Sequence, residues 1–195
     1  MLVLEKHTET IEDAQLLTDF GRPENREKAF GQLIQKYQQR VYLLVRKMVI
    51  DHDDADDVVQ EVFIKVWKNL GKFEGGSQLF TWIYRIATNE CLRFLERKKK
   101  KRFWISVNDA STELAAKIDH ASYISGDEVQ KKLQKALLRL PDKQRLVFNL
   151  KYFEELRYDE IAEITGTSVG GLKASYHHAV KKIEEDLKMQ IDESA

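Results

Sequence analysis

The chain has 195 residues, room for one or two domains of ordinary size, and its 32 Lys and Arg residues balance 32 Asp and Glu residues, which argues against a general attraction to nucleic acid. Its single cysteine excludes an internal disulfide, and neither a signal peptide nor an apolar run of about 18 residues is present. These features predict a cytoplasmic protein without direct membrane insertion, and a content of only 9 Gly and 2 Pro is typical of a helix-rich chain.

Three predicted helices follow an N-terminal extension. Residues 1–24 are mixed in character, with a short helix expected around Thr10–Phe20. From about residue 25, apolar residues recur at three- and four-residue steps, which indicates the buried stripe of an amphipathic helix. A turn at Asp51–Asp54 leads to a second helix, and a third begins near Ser77 and runs into a basic segment.

The second half of the chain is organised differently. Residues 103 to about 126 lose the helical periodicity and become rich in Ser, Asn, Asp, Gly and Thr, which predicts a linker at 99–127. Helical patterning resumes at Glu128, breaks at Pro141 and continues to about residue 190. The predicted fold is therefore all-α, with helical domains at 25–98 and 128–190 joined by the linker.

Opposite charges are concentrated at two places in the first domain. The segment Asp51–Glu61 contains six acids and no Lys or Arg, whereas Arg93–Arg102 contains seven basic residues and one acid. Because electrostatic fields act locally and are screened within roughly 10 Å, these two poles suggest one partner of each sign.

The segment Tyr158–Lys173 has the pattern of a helix-turn-helix. Gly166 suits the positive φ of a sharp turn, and Ser168 is placed to cap the amides of the second helix. A small core would be closed by Ile161, Ile164, Val169 and Leu172, with Ala162 allowing close approach of the helices. The second helix would offer to a DNA major groove Gly171, Lys173, Ala174, Ser175, His177 and His178.

An ordinary helical hairpin is the alternative to this DNA-binding interpretation. From Asp127 to the end, twelve basic and thirteen acidic residues nearly cancel, so the second domain needs another contact site to bind DNA strongly. His177 and His178 are adjacent, and adjacent side chains point about 100° apart on a helix, which argues against a shared metal ion. No metal site is expected.

The acidic segment supports two interpretations. A calcium loop is excluded, because an EF-hand counted from Asp51 needs Gly and Glu where Asp56 and Val62 stand. Acids near a helix start favour the helix dipole, which is a purely structural role. A polar face that fits a basic partner is formed, however, by Asp57, Gln60 and Glu61. Helix capping and partner docking both stay open on these residues alone.

Aromatic and basic residues come together around the third helix. A Gly-containing loop is flanked by Phe73, Phe80, Trp82 and Tyr84, and Arg85, Asn89 and the basic run follow. Aromatic faces stack on unpaired bases, cations hold the backbone and an amide reads a base edge, so the group favours single-stranded DNA. The alternative is that the aromatic residues belong to the core and the basic run is a solvated helix end, and core burial is favoured for Phe80 and Ile83.

These motifs, in this order, resemble those of the extracytoplasmic-function sigma factors, the smallest members of the main bacterial sigma family. Asp54–Trp67 is similar to the family's polymerase-binding helix, Phe73–Asn89 to its −10 element reader, and Leu138–Pro141 with the helix-turn-helix to its −35 reader. The resemblance implies a region 2 helical bundle and a region 4 helix-turn-helix. It also implies a sigma factor that binds core RNA polymerase and directs promoter-specific transcription initiation.

The resemblance further implies roles for individual residues. The clamp helices of the polymerase β′ subunit would be bound by Asp57, Gln60 and Glu61. The −10 element would be captured and opened by Phe73, Gly75, Gly76, Trp82, Tyr84, Arg85 and Asn89. Four residues would face the −35 major groove, namely Lys173, Ala174, His177 and His178. The −35 set also includes residues that would chiefly hold the DNA backbone, namely Lys151, Arg157, Tyr158, Asp159 and Ser168.

Some positions depart from the family's pattern. Lys173 and His177 stand where many relatives have Arg and Phe, so the −35 sequence cannot be copied from them. Glu74 occupies the loop where a basic residue is common, which puts a phosphate contact there in doubt. Arg157 replaces the usual Ser or Thr cap.

The implied partners are promoter DNA, core RNA polymerase (through its β′ clamp helices and β flap) and an anti-sigma protein, with no cofactor, small-molecule substrate or catalysis. A stand-alone helix-turn-helix regulator is the alternative, although it would leave the acidic helix and the aromatic loop without a role. A metal-dependent nuclease is a third class, and it lacks a distant acidic partner for the acidic cluster.

Overall fold

The computed structural model describes residues 13–105 and 128–192, and the regular elements within these two ranges are all helices. The predicted all-α class with two helical domains is confirmed. None of the helices in the described ranges is both long and apolar enough to cross a membrane.

The first domain consists of helices that wrap around a shared apolar core. Its elements are α1 at residues 13–20, α2 at Arg26–Val49, α3 at His52–Asn69 with a 3-10 turn at Leu70–Lys72, and α4 at Leu79–Ile105. Leu44, Met48, Val62 and Ile83 have no exposed surface, which shows that the apolar stripes predicted from the sequence meet at the centre of this domain.

The second domain contains the predicted helix-turn-helix. Its elements are α5 at Glu128–Leu138, α6 at Asp142–Phe148 continued by a π-helical turn at Asn149–Phe153, α7 at Tyr158–Thr165, and α8 at Val169–Asp192. A core cluster around Leu137, Phe148 and Ala179 joins α5 and α6 to the middle of α8.

Local sequence signals account for the helix ends. The Asp51 carboxylate caps α3 by accepting a hydrogen bond from the Asp54 N–H at 3.2 Å. The Arg157 N–H donates to Glu160 Oε2 at 2.7 Å, which is the bond that the Glu of a capping box makes at the start of a helix such as α7. α7 ends at Gly166, whose φ of +68° is the left-handed conformation expected there.

Two local features differ from the sequence expectations. Asp51–Asp54 is a capped helix start rather than a separate turn, because α3 already begins at His52. α4 continues past residue 98 to Ile105, because Lys and Arg are good helix formers and the basic run is held by ion pairs. Lys98 pairs with Asp54, and Lys99 Nζ lies 2.6 Å from Asp142 Oδ2. The rest of the predicted linker, 106–127, lies outside the described residues.

The two domains pack directly against each other. Helices α6 and α7 and the π-helical turn contact α2 and α4 of the first domain. One continuous cluster of buried residues therefore contains Met48 and Ile83 of the first domain together with Leu150 and Ile161 of the second.

Candidate polymerase and nucleic-acid interfaces

The acidic face of α3 is open to solvent. Asp57, Gln60 and Glu61 are exposed, and they line one side of a groove between α3 and α4. The α4 side of the groove carries Phe94, Arg97, Lys98 and Lys101. Because Lys98 is paired with Asp54, the groove holds one internal ion pair while the carboxylates of Asp57 and Glu61 stay at the surface, where a basic protein helix can reach them.

An aromatic pair shapes the loop between α3 and α4. The rings of Phe73 and Trp82 pack at a centroid distance of 5.4 Å, and both are partly buried. Gly75 has a φ of +74°, a conformation that L-residues rarely adopt, and Gly76 beside it is exposed. The loop therefore lies beside an aromatic surface of the kind on which an unpaired base stacks.

A second groove lies between α3 and the outer face of α4. Asn89 is exposed and lines this groove together with Trp82. The cations that line the groove are Lys65, Lys72 and Arg93. This combination of a ring, an amide and several cations suits a single nucleic-acid strand.

A buried carboxylate organises the cations of this second groove. Glu90 is 6% exposed, and its Oε2 lies 2.5 Å from Lys65 Nζ while its Oε1 lies 3.2 Å from Arg93 Nη1. Glu90 thereby bridges α3 and α4 and fixes where two positive charges sit beside Asn89.

Tyr84 and Arg85 are engaged by the second domain. Tyr84 has no exposed surface, and its hydroxyl donates to Glu154 Oε2 at 2.9 Å. Arg85 donates from Nη2 and Nε to the backbone oxygen of Glu163 at 2.7 Å and 3.0 Å. These two members of the predicted −10 set therefore contact α7 and the segment before it.

The helix-turn-helix has the expected internal geometry. Ile161, Ile164 and Leu172 are buried, whereas Val169 is only partly so. The Gly171 N–H donates to Ser168 Oγ at 3.3 Å, so Ser168 caps α8. One face of α8 carries exposed side chains at Lys173, Ala174, His177 and His178.

Tyr158 is the centre of the remaining −35 candidates. Lys151 Nζ lies 5.1 Å and Lys173 Nζ lies 5.8 Å from the centroid of the Tyr158 ring. Lys151 also donates to the backbone oxygen of Leu156 at 3.1 Å. The ring thus holds two lysines near the start of the helix-turn-helix, with Arg157 and Asp159 exposed beside it.

Two charged residues that were not predicted as site residues, Arg145 and Glu154, are largely buried and make specific contacts. Arg145 is 4% exposed and donates to Asp142 Oδ1 from Nη2 at 3.3 Å, and burial lowers the pKa of its guanidinium. Burial also raises the pKa of the nearby Cys91 thiol to about 12. Glu154 has partners distant in sequence, Lys47 and Tyr84, and no periodicity or local motif reports such contacts.

No group of three or more His, Cys, Asp or Glu side chains within the described ranges is arranged to hold a metal ion. The rings of His177 and His178 are 6.0 Å apart between centroids and inclined at 56°. Their exposure on α8 fits contact with a partner surface.

Comparison with protein families matches both domains. Residues 33–101 match the family model described as sigma-70 region 2, and residues 130–183 match the model described as sigma-70, region 4. The first match covers the acidic helix, the aromatic loop and most of α4, and the second covers the helix-turn-helix.

Curated relatives match over most of the chain. The ECF RNA polymerase sigma factor SigW of Bacillus subtilis is 32% identical over 168 residues, covering 82% of this chain and 89% of SigW. The RNA polymerase sigma-H factor of Pseudomonas aeruginosa is 30% identical over 191 residues, covering 94% of this chain and 97% of that protein.

Solved structures share the fold. CnrH, in complex with the cytosolic domain of CnrY, is similar with a TM-score of 0.64 and 23% identity, covering 92% of this chain and 97% of CnrH. The sigma factor RpoE of Bartonella quintana, in complex with the anti-sigma factor NepR, has a TM-score of 0.63 and 24% identity, covering 83% and 98% of the two chains.

Proposed function

We propose that this chain uses its two domains to join core polymerase to both elements of a promoter. It belongs to the extracytoplasmic-function sigma factors of the sigma-70 family, and it is therefore an RNA polymerase sigma factor. In this proposal the first domain binds the polymerase and opens the −10 element, and the second domain reads the −35 element. The chain itself performs no chemistry, and it acts in the cytoplasm, where the polymerase works.

We propose that the exposed acidic face of α3 is the principal polymerase contact. Asp57, Gln60 and Glu61 combine two carboxylates with an amide on one open helical face, which suits the basic side chains of a helical partner. This open face is the observation that carries the proposal, because a regulator that binds DNA alone has no use for it. The family resemblance supports the β′ clamp helices as this partner.

The aromatic loop and the groove beside it are proposed to hold the non-template strand of the −10 element. Flipping a base out of the stack costs a few kcal/mol, and stacking on an aromatic ring contributes about 1–3 kcal/mol per base in return. Phe73 and Trp82 supply the aromatic surface, Asn89 an amide for a base edge, and the surrounding lysines the backbone contacts.

The exposed face of α8 is proposed to enter the −35 major groove. Lys173 and His177 can donate hydrogen bonds to base edges, and Ala174 allows close approach. The near balance of charge in this domain makes it a weak DNA binder alone. Tethering to a second contact on the same promoter raises the effective concentration and offsets that weakness.

An anti-sigma protein is proposed as a further partner. The fold neighbours CnrH and RpoE were solved with the cytosolic domain of CnrY and with the anti-sigma factor NepR, respectively. A protein partner of this class would have to cover the surfaces that core polymerase and promoter DNA use.

Run-off transcription tests the proposed function. Core polymerase of the source organism is incubated with a pool of its genomic promoters, with and without the protein. Transcripts that depend on the protein support the proposal, and their shared upstream sequences define the −10 and −35 elements. High-affinity duplex binding by a dimer, without polymerase binding or transcripts, would instead favour the stand-alone regulator.

A further inference from the structure

The basic end of α4 is a strongly charged segment to which the proposed function gives no role. We propose that one face of this segment, formed by Arg93, Arg97 and Lys100 and called here the upstream face, binds the phosphates of the duplex DNA immediately upstream of the −10 element. The inference rests on the proposed sigma function, because the position of the −10 strand on α4 defines which DNA lies beside the upstream face.

The upstream face continues the side of α4 that carries the −10 candidates. Steps of seven, four and seven residues return to nearly the same side of an α-helix, and they connect Trp82, Asn89, Arg93 and Lys100. Trp82, Asn89 and Arg93 line the same groove, and Arg97 follows one turn after Arg93. Because α4 is uninterrupted through this region, a strand that leaves Asn89 along the helix meets these cations next.

The cations of the upstream face are accessible to a partner. The side chains of Arg93 and Lys100 are 66% and 73% exposed, and Arg97 is exposed as well. Arg93 and Lys100 pair with Glu90 and Glu96, whereas Arg97 has no ion-pair partner among the described residues. An exposed pair such as that of Lys100 with Glu96 contributes little stability, so a phosphate can replace the carboxylate at low cost.

Helix stability does not account for the two arginines. Basic side chains interact favourably with the helix dipole only in the last turn, and Arg93 and Arg97 precede the end of α4 at Ile105 by about two turns or more. The two arginines are also four residues apart, a spacing at which like charges destabilise a helix. An anionic partner therefore explains their positions better than the helix itself does.

The composition of the upstream face favours a duplex over a single strand. Proteins bind single strands by combining cations with aromatic rings, and the three side chains of this face supply cations only. The nearby Phe94 ring lines the other groove, on the side of α3 that carries the acidic face. Contacts between cations and phosphates position a duplex without reading its sequence.

The length of α4 places the upstream face opposite a defined stretch of DNA. At a rise of 1.5 Å per residue, Arg97 and Lys100 lie about 12 Å and about 16 Å beyond Asn89 along the helix axis. At 3.4 Å per base pair, these distances correspond to roughly three to five base pairs. In the chain, α4 is followed by the domain that is proposed to read the −35 element, which favours the upstream direction.

The experiment compares two DNA molecules bound by holoenzyme that is assembled from core polymerase and the full chain. One is the −10 non-template single strand, and the other is a fork that adds about ten base pairs of upstream duplex, one helical turn, without a −35 element. The test variant is Arg97→Gln with Lys100→Gln. The matched control removes two exposed charges from α8, Lys181→Gln with Lys188→Gln, and Lys99→Gln removes a charge from another side of the basic run.

We expect the test variant to bind the single strand as the wild type does and to bind the fork about tenfold more weakly at low salt. Each lost phosphate contact reduces the slope of log K against log salt by about 0.9 on duplex DNA, so two lost contacts change the affinity ratio about tenfold between about 50 and 200 mM salt. Hydroxyl-radical footprints should lose protection at the duplex positions nearest the opened strand. Both controls should bind the two DNA molecules as the wild type does.

Fork binding with unchanged affinity and unchanged salt slope would overturn the inference. An equal loss on the single strand would also overturn it, because the cations would then hold the −10 strand itself. Weaker assembly with core polymerase, with DNA binding intact, would assign the face to an acidic polymerase surface instead. Failure of the wild-type holoenzyme to bind the −10 single strand is a separate result, which would overturn the sigma function. Circular dichroism verifies that helix content is retained in each variant.

Discussion

The Tyr84 hydroxyl donates a 2.9 Å hydrogen bond to Glu154, which lies 70 positions further along the chain, and this bond joins a helix of the first domain to a loop of the second. Tyr84 also packs on Phe80 with ring centroids 4.0 Å apart. Burial, and then the adjacent Glu154 carboxylate, raises the pKa of the Tyr84 hydroxyl, so it stays protonated as the donor. A residue assigned to strand opening is thus a structural donor while the domains are in contact.

Tyr84→Phe isolates the contribution of this hydrogen bond. The ring and its contact with Phe80 are retained, while Glu154 loses a donor in a poorly hydrated site. We expect the free energy of unfolding to fall by about 1.5–3 kcal/mol, the usual range for a hydrogen bond to a charged group. Chemical denaturation followed by circular dichroism measures it.

Tyr42→Phe is the matched control for this substitution. The Tyr42 hydroxyl lies 2.8 Å from His52 Nδ1 at an exposed site within the first domain. Its loss should cost about 0.5–1.5 kcal/mol, because water replaces the partner. Equal costs for the two variants would show that the interdomain bond has no special weight.

The double substitution Gln60→Ala with Glu61→Ala tests the polymerase face. Both residues are exposed on α3, so their truncation should leave helix content and the unfolding midpoint nearly unchanged. We expect core binding to weaken at least about a hundredfold, because interface hot-spot residues typically contribute about 2 kcal/mol or more each. Run-off transcription should be abolished.

The control for the polymerase face is Glu184→Ala with Glu185→Ala, which removes exposed carboxylates from α8. This variant should bind core polymerase as the wild type does, as measured by fluorescence titration. Undiminished binding by the α3 variant would remove this face from the polymerase interface.

The sequence predicted the elements whose signals are local, and it did not predict contacts that join distant segments. Gly166 and Ser168 identified the turn and the cap of the helix-turn-helix because each acts within a few residues of itself. The predicted linker begins at residue 99, whereas α4 continues to Ile105, because the basic run has no apolar periodicity to mark it as helix. Its stability depends on Asp54 and Asp142, which lie on other helices.

The same distinction applies to the candidate surfaces. Exposure of the α3 acids and of the α8 face follows from helical periodicity, which places polar residues opposite a buried stripe. The engagement of Arg85 by Glu163, and of Tyr84 by Glu154, depends on the arrangement of two domains. No residue pattern within either domain encodes that arrangement.

Glu90→Gln tests the organisation of the second groove. The amide keeps the size of the side chain but no longer neutralises Lys65 and Arg93, whose charges become free for phosphates. We expect the holoenzyme to bind single-stranded non-template DNA as tightly as before or more tightly. Its preference for the −10 sequence over scrambled DNA should fall by about tenfold, because the cations no longer have fixed positions.

Salt titration provides a second measurement for Glu90→Gln. Each additional phosphate contact steepens the dependence of log K on log salt by about 0.7 for a single strand. The control Glu96→Gln breaks an exposed pair with Lys100 on the same helix and should change neither quantity. An unchanged −10 preference together with an unchanged slope would show that Glu90 only stabilises the packing of α3 on α4.

Lys173→Ala tests the proposed reader of the −35 groove. Lys173 is exposed on α8 and is partly oriented by the Tyr158 ring, 5.8 Å from its Nζ, so its ammonium group has a defined position when DNA arrives. A lysine that donates to guanine is worth about 1–3 kcal/mol of base discrimination. We therefore expect a loss of roughly 10–100-fold in transcription from the preferred −35 sequence, with relaxed preference at one or two neighbouring base pairs. Run-off transcription from promoters randomised in the −35 element measures both effects.

Lys181→Ala, on the same helix and paired with Glu185, should leave the preference unchanged. A loss that is uniform across all −35 sequences would instead assign Lys173 to the phosphate backbone, because a phosphate contact carries no base information.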